Sequence, residues 1–202
     1  MENKSKNKLT EFELNRQIFH MFLGLTIVLL LRYGFINNNT ILILILTGFI
    51  LSFLSTKIKI PVIYSLLQKF ERNKDIKRFP GKGVIFYFIG AYLSLILFPK
   101  EIAMASIMIL ALGDSVSHLY GLHYGRIKHP LSSTKFFEGT IAGFVAGFIG
   151  ALIFLPLLEA FLASLAAMAV EAIEIKIGAE QVDDNLIMPV AAGIAVLIIR
   201  II

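Results

Sequence analysis

Carboxylates and basic residues set among long apolar stretches are the features of this chain that call for a chemical explanation. The densest stretch is LGDSVSHLYGLHYGRIKHPLSSTKFFEGT, residues 112–140. Asp114, Ser117, His118 and Gly121 recur there at helical spacing and share one helix face. An acid in an apolar helix is costly and needs a partner, so Asp114 is read as functional. Gly121 and Gly125 permit close backbone approach, either to another helix or to a phosphate. Arg126, Lys128 and Lys135 supply positive charge. Glu138 lies one turn beyond Lys135, as a site carboxylate or as the cap of the next helix, whose N-terminus would favour an anion. A second cluster spans residues 170–189: Glu171 and Glu174 one turn apart, then Asp183, Asp184 and Asn185. Such oxygen donors can hold Mg²⁺ shared with substrate phosphates, and Asp-Asp-Asn reads equally well as a helix cap. A third group, Glu13, Arg16 and His20, occupies one face of the helix leading into the first apolar block. It reads as an ion pair orienting a neighbour, or as a phosphate or acid–base contact through His20.

Acids for a metal and cations for phosphate, both at membrane level, point to a nucleotide acting on a lipid. In phosphoryl transfer a protein mainly positions groups and neutralises charge, and these residue types do both. There is no G-x-x-x-x-G-K-[ST] loop and no protein-kinase motif set, so the nucleotide must be bound in another way.

The elements that must position these residues are membrane helices. The chain has 202 residues, 57% hydrophobic and only 16% charged, against about 25% charged in soluble domains. Cysteine is absent, which excludes disulfides and thiolate metal sites. Seven spans are expected, near residues 17–33, 40–56, 83–98, 101–120, 139–158, 160–177 and 186–202, in a single all-α, polytopic membrane domain covering 1–202. Residues 1–16 read as a polar cytoplasmic tail, and 57–82 as a basic cytoplasmic loop in which PVIYSLLQKFERN forms an interfacial helix. With the N-terminus in the cytoplasm, 16 of the 19 Lys and Arg residues fall on the cytoplasmic side. The net charge of +5 is therefore read as topology signal and contact with lipid or nucleotide phosphate, not as a nucleic-acid surface. Gly143, Gly147 and Gly150 read as a helix-packing face, used within the chain or between two copies in a homodimer.

Taken together, G-D at Asp114, Lys128, K-x-x-E-G-T at Lys135, Glu138, Gly139 and Thr140, D-D-N-x-x-x-P from Asp183 to Pro189, and E-x-x-R-x-x-x-H at Glu13, Arg16 and His20 resemble the CTP-dependent lipid kinases. That family includes dolichol (polyprenol) kinases, phytol kinases and CTP-dependent diacylglycerol kinases, and is more distantly similar to phosphatidate cytidylyltransferases. The resemblance runs over nearly the whole chain in the right order. Ser117 stands where the family often has alanine, and Thr134 where serine often precedes the lysine. The resemblance implies CTP plus a membrane lipid alcohol giving a lipid monophosphate and CDP, with Mg²⁺. An isoprenoid alcohol is the first choice of acceptor and diacylglycerol the second. It further implies that Asp114, Glu138, Asp183 and Asp184 organise the metal, and that Lys128 and Lys135 hold the CTP phosphates, with Gly121, Gly125, Gly139, Thr140 and Asn185 around the nucleotide. Glu171 is the expected base. The alternatives are a cytidylyltransferase releasing pyrophosphate and, from another class, a small transporter. Charges gathered at one membrane face, without a repeat, disfavour transport.

Overall fold

A computed structural model describes residues 10–58, 60–132, 134–173, 175–177 and 180–201. Glu174 and most of the N-terminal tail lie outside these residues. The chain is built from helices: α1 Glu11–Arg32, α2 Asn38–Lys57, α3 Pro61–Phe70, α4 Asn73–Arg78, α5 Lys82–Leu97, α6 Lys100–Ile109, a π-helical turn Leu110–Asp114, α7 Ser115–Tyr124, α8 Phe137–Ala151, α9 Leu157–Glu171 and α10 Asp184–Ile201. A two-residue antiparallel ladder, β1 Lys176–Ile177 with β2 Glu180–Gln181, joins α9 to α10.

Among the described residues, four helical stretches are long and apolar enough to cross a membrane: α1, α2, the continuous stretch Lys100–Tyr124 and α10. Helices α5 and α8 are apolar but shorter. Lys100–Tyr124 is the central pillar, 72% buried where α2 is 17% buried. Its inner half is packed with small or flexible side chains, Ala103, Ala105, Met108 and Ala111, against α1, α5, α8 and α10. Apolar residues such as Ile43, Ile50, Ile141, Ile149, Leu157 and Ile198 point outward instead. An apolar exterior around a small-residue interior is membrane packing, held by close van der Waals contact rather than by exclusion of water.

The glycines of α8 show how close that contact is. A Cβ on Gly143 would stand 2.5 Å from the Gly113 carbonyl, and one on Gly147 would stand 2.8 Å from Ser164 Oγ. The face formed by Gly143, Gly147 and Gly150 is thus spent inside the chain, against the pillar and α9.

Several boundaries differ from the sequence reading for local reasons. Helix α1 begins at Glu11, inside the segment read as tail, because the Thr10 hydroxyl accepts from the Glu13 amide at 3.2 Å and caps it. The fifth predicted span ends early, at Ala151, since Pro156 has no N–H to continue a helix and instead starts α9. The sixth stops at Glu171, where the chain turns toward the β1–β2 ladder. The segment read as an interfacial helix does form a helix, α3, with Pro61 in its first turn. It leans on α1 through a Phe19–Phe70 stack with centroids 4.6 Å apart.

Cysteines introduced at Asn38, the first residue of α2, and at Lys74, in α4 beyond its other end, are expected to react with an impermeant thiol reagent from opposite membrane faces. Labelling of both from one face in sealed vesicles would remove α2 as a span.

Candidate active site

Arg16 and His20 of α1, Asp114 and His118 of the pillar, Glu171 of α9 and Asp184 of α10 come together around a cavity of about 1060 Å³. Lys135 is its electrostatic centre. Its ammonium lies 2.8 Å from Asp184 Oδ2 and 3.1 Å from Glu171 Oε1, and also meets the Glu171 backbone carbonyl at the C-terminal end of α9. That helix end carries partial negative charge and favours a cation. Burial alone would push the Lys135 pKa down, but the carboxylates of Glu171, Asp184 and Asp114 outweigh it and hold the pKa above the ordinary lysine value.

The loop before α8 aims this lysine inward. Ser132 Oγ accepts from the amides of Thr134 and Lys135 at 3.2 and 3.1 Å, and the backbone pairs Lys128 with Phe136. Glu138 finishes the loop by accepting from the amides of Arg126 and Ile127, each at 3.1 Å. Its carboxylate thereby fastens the loop, and Glu138 lies outside the cavity lining. Lys128 is exposed on the same loop, outside the cavity lining. Gly125, Gly139 and Thr140 also lie outside the lining, whereas Gly121 and Asn185 belong to it. A Cβ on Gly139 would meet the Ser117 carbonyl at 2.5 Å, so this glycine lets α7 and α8 cross.

Asp114 ends the π turn, a local widening of the helix that often marks a functional position. Its Oδ2 lies 3.5 Å from His20 Nε2. The His20 ring meets Tyr87 edge-on at 4.5 Å. Ser117 donates to Glu171 Oε1 at 3.4 Å. The Asp-Asp-Asn run divides its duties. Asp183 Oδ1 accepts from the backbone and side-chain nitrogens of Asn185, at 3.2 and 2.8 Å, and caps α10, while Asp184 faces Lys135. Burial raises the Asp183 pKa against the opposing pull of Asn185 and of Lys82, 4.0 Å away. Gly90 allows this placement, because the Asn185 carbonyl occupies the space that a Cβ would need.

Glu13 organises the opposite wall. It accepts from Arg16 at 2.9 Å, contacts His118 at 3.1 Å and reaches Arg72 at 3.4 Å. The loop 57–82, read from the sequence as a basic loop with a helix in it, adds Arg72, Lys74, Arg78 and Lys82 to the cavity wall. Glu71 fastens that loop by accepting from the amides of Gly81 and Gly83 at 2.6 and 3.3 Å, and burial raises its pKa despite those bonds.

Gln17 and Tyr87 escaped the sequence reading. Among the described residues, six buried polar atoms lack a hydrogen-bond partner, and five belong to residues lining this cavity: Gln17 Oε1, His20 Nε2, Tyr87 Oη, Glu171 Oε2 and Asp184 Oδ1. An unmet buried polar atom costs about 1–3 kcal/mol, so the cavity is built for a polar occupant. The unmet carboxylate oxygens are hard donors of the kind Mg²⁺ prefers. Among the described residues no three His, Asp or Glu side chains gather tightly enough to hold a metal by themselves. That donor set fits a Mg²⁺ ion completed by substrate phosphates.

A cavity with acids and cations at one end of a membrane bundle has the makings of a membrane-embedded enzyme site for an anionic substrate. Comparison with known proteins agrees. The chain is 32% identical over 184 residues to an uncharacterised protein of Methanocaldococcus jannaschii, covering 88% of each. It is 26% identical over 204 residues to CTP-dependent diacylglycerol kinase 1 of Schizosaccharomyces pombe, covering 90% of each. It is 28% identical over 131 residues to the chloroplastic phytol kinase 1 of Arabidopsis thaliana, covering 56% of this chain and 42% of that protein. No family model matches the chain, and no solved structure gives a significant match. The chain belongs to the CTP-dependent lipid kinase family.

Glu71→Gln tests the fastening of the basic loop. The raised pKa means that the folded state holds this proton more tightly than the unfolded chain does. Stability contributed here therefore falls as pH rises from the ordinary value of 4.5 toward the raised one. Glutamine keeps one acceptor oxygen for the two amides, which lowers stability by an amount independent of pH, and it does not ionise. Its melting temperature relative to the native protein should rise over that window, and a difference independent of pH would contradict the assignment.

Proposed function

We propose that the protein transfers the γ-phosphoryl group of CTP to the hydroxyl of a membrane lipid alcohol, at a site facing the cytoplasm. The observation that carries this reading is the set of unmet polar atoms around Lys135, Glu171, Asp184 and Asp114 in one cavity. The relatives' names supply the nucleotide and the acceptor class: one is a CTP-dependent diacylglycerol kinase, another a phytol kinase. An isoprenoid alcohol and diacylglycerol both offer the required hydroxyl.

In this reading the acceptor oxygen bonds to the γ-phosphorus, the bridging bond to the β-phosphate breaks, and CDP leaves. The hydroxyl proton passes to Glu171 Oε2, the unmet oxygen of a carboxylate held by Lys135 and Ser117. Asp114 and Asp184 would hold Mg²⁺ together with phosphate oxygens, and the ion would neutralise the charge on the transferring group. Arg16 and Arg72, braced by Glu13, would hold the remaining triphosphate charge, since such cations act mainly by electrostatic positioning.

The reading also takes α5, α8 and α9 as spans beside the four longer stretches, giving seven with the N-terminus inside. A helix of about 15 residues rises only about 22 Å, so these three would sit where the bilayer is thin or extend through their flanking loops.

Purified protein given γ-labelled CTP, Mg²⁺ and a panel of lipid alcohols should produce a labelled lipid and CDP. Release of pyrophosphate with α-label in the lipid would instead establish a cytidylyltransferase. Asp114→Asn and Asp184→Asn should each lower turnover by at least about a hundredfold while the protein still inserts and stays monodisperse. Near-native turnover in both, at limiting Mg²⁺, would remove the carboxylates from the chemistry.

A further inference from the structure

The cavity has charged and apolar lining, and the chemistry above uses only the charged part. The apolar lining includes Phe19 and Leu23 from α1, and Ile63, Leu66, Leu67 and Phe70 from α3. Phe70 is followed directly by Glu71 and Arg72, so one short segment passes from hydrocarbon to charge within two residues. Leu66 lines the cavity and is also 52% exposed, which places it at the rim. Beyond the rim the apolar surface continues outward, through Ile18 and Phe22 on α1 and Val62 on α3. The stacked rings of Phe19 and Phe70 join the two helices along this seam.

An apolar wall that runs from the charged chamber to the lipid-facing surface fits a molecule with a polar head and a hydrocarbon tail. We propose that the α1–α3 seam is the portal and groove for the hydrocarbon chain of the lipid acceptor. The hydroxyl end lies toward Asp114 and Glu171, and the chain runs along α3 past Phe70 and Leu67 to leave at Leu66 and Ile63. The face of α3 from Ile63 to Phe70 offers about 10 Å of contact, at 1.5 Å of rise per residue. This inference rests on the lipid kinase reading and adds the place where the acceptor is held. It assigns α3 the role of side wall of a binding site rather than of a surface anchor alone.

The test uses the full-length protein in mixed micelles with a diacylglycerol carrying a diazirine midway along one acyl chain. Irradiation should label residues 61–70 together with Phe19 or Leu23. An excess of unlabelled diacylglycerol should reduce that labelling about tenfold, while the same excess of phosphatidylcholine should not. Label concentrated on the outer faces of α8 and α9 would overturn the proposal, as would label on α3 displaced equally well by phosphatidylcholine, which marks boundary lipid only. Because crosslinking needs neither CTP nor turnover, its failure is distinct from a failure of the kinase reading. In a second measurement, Leu66→Trp narrows the rim. It should raise the half-saturating mole fraction of a long-chain acceptor about tenfold, with the half-saturating CTP concentration unchanged. An equal loss with a short-chain, water-soluble alcohol would show that no chain-binding groove exists there.

Discussion

A half-buried lysine shared between carboxylates from two helices is the constraint around which this end of the bundle is arranged. Lys135 touches Asp184 at the start of α10 and Glu171 at the end of α9, and it comes from the loop that starts α8. Removing charge from water is expensive, and the expense is offset only if the partners are placed well. Other features follow from that placement. Glu138 and Ser132 stiffen the loop, Asp183 starts α10 so that Asp184 faces inward, and Gly90 lets the start of α10 approach α5 closely. The acids then have more oxygen atoms than Lys135 and Ser117 can satisfy, and this leaves an anionic pocket flanked by cations on a second wall.

Much of this was legible in the sequence because membrane helices advertise themselves. The positions of Asp114, Lys135, Glu171 and Asp184 were visible as polar exceptions in apolar runs, and the structure gathers all four. What was not legible has identifiable causes. That Glu138 fastens the loop, and that Lys128 lies outside the cavity lining, follow from backbone bonds that spacing does not reveal. The boundary near residue 156 was missed because the apolar run was given more weight than the proline within it. Gln17 and Tyr87 were passed over because amides and phenols are common in helices, and only their burial without partners makes them notable.

The largest shift in reading concerns residues 57–82. Their positive charge looked like topology signal, a sufficient explanation in a membrane protein. In the folded chain, Glu13 reaches across to Arg72, and Glu71 gathers the turn at Gly81 and Gly83, so that the loop leans over the cavity. One set of basic residues can thus satisfy two demands, orientation in the bilayer and charge at a site, and composition alone cannot separate them.

The π turn at Leu110–Asp114 sets a fixed offset in azimuth between the pillar's two halves. Its α6 half is keyed to α1, α5, α8 and α10 by shape, and its α7 half carries Ser117 and His118 toward the charged chamber. In an uninterrupted α-helix, both faces would have to lie along one regular stripe. The widened turn builds in a phase offset, so the face that packs the bundle and the face that meets the chamber can point in different directions on one continuous helix.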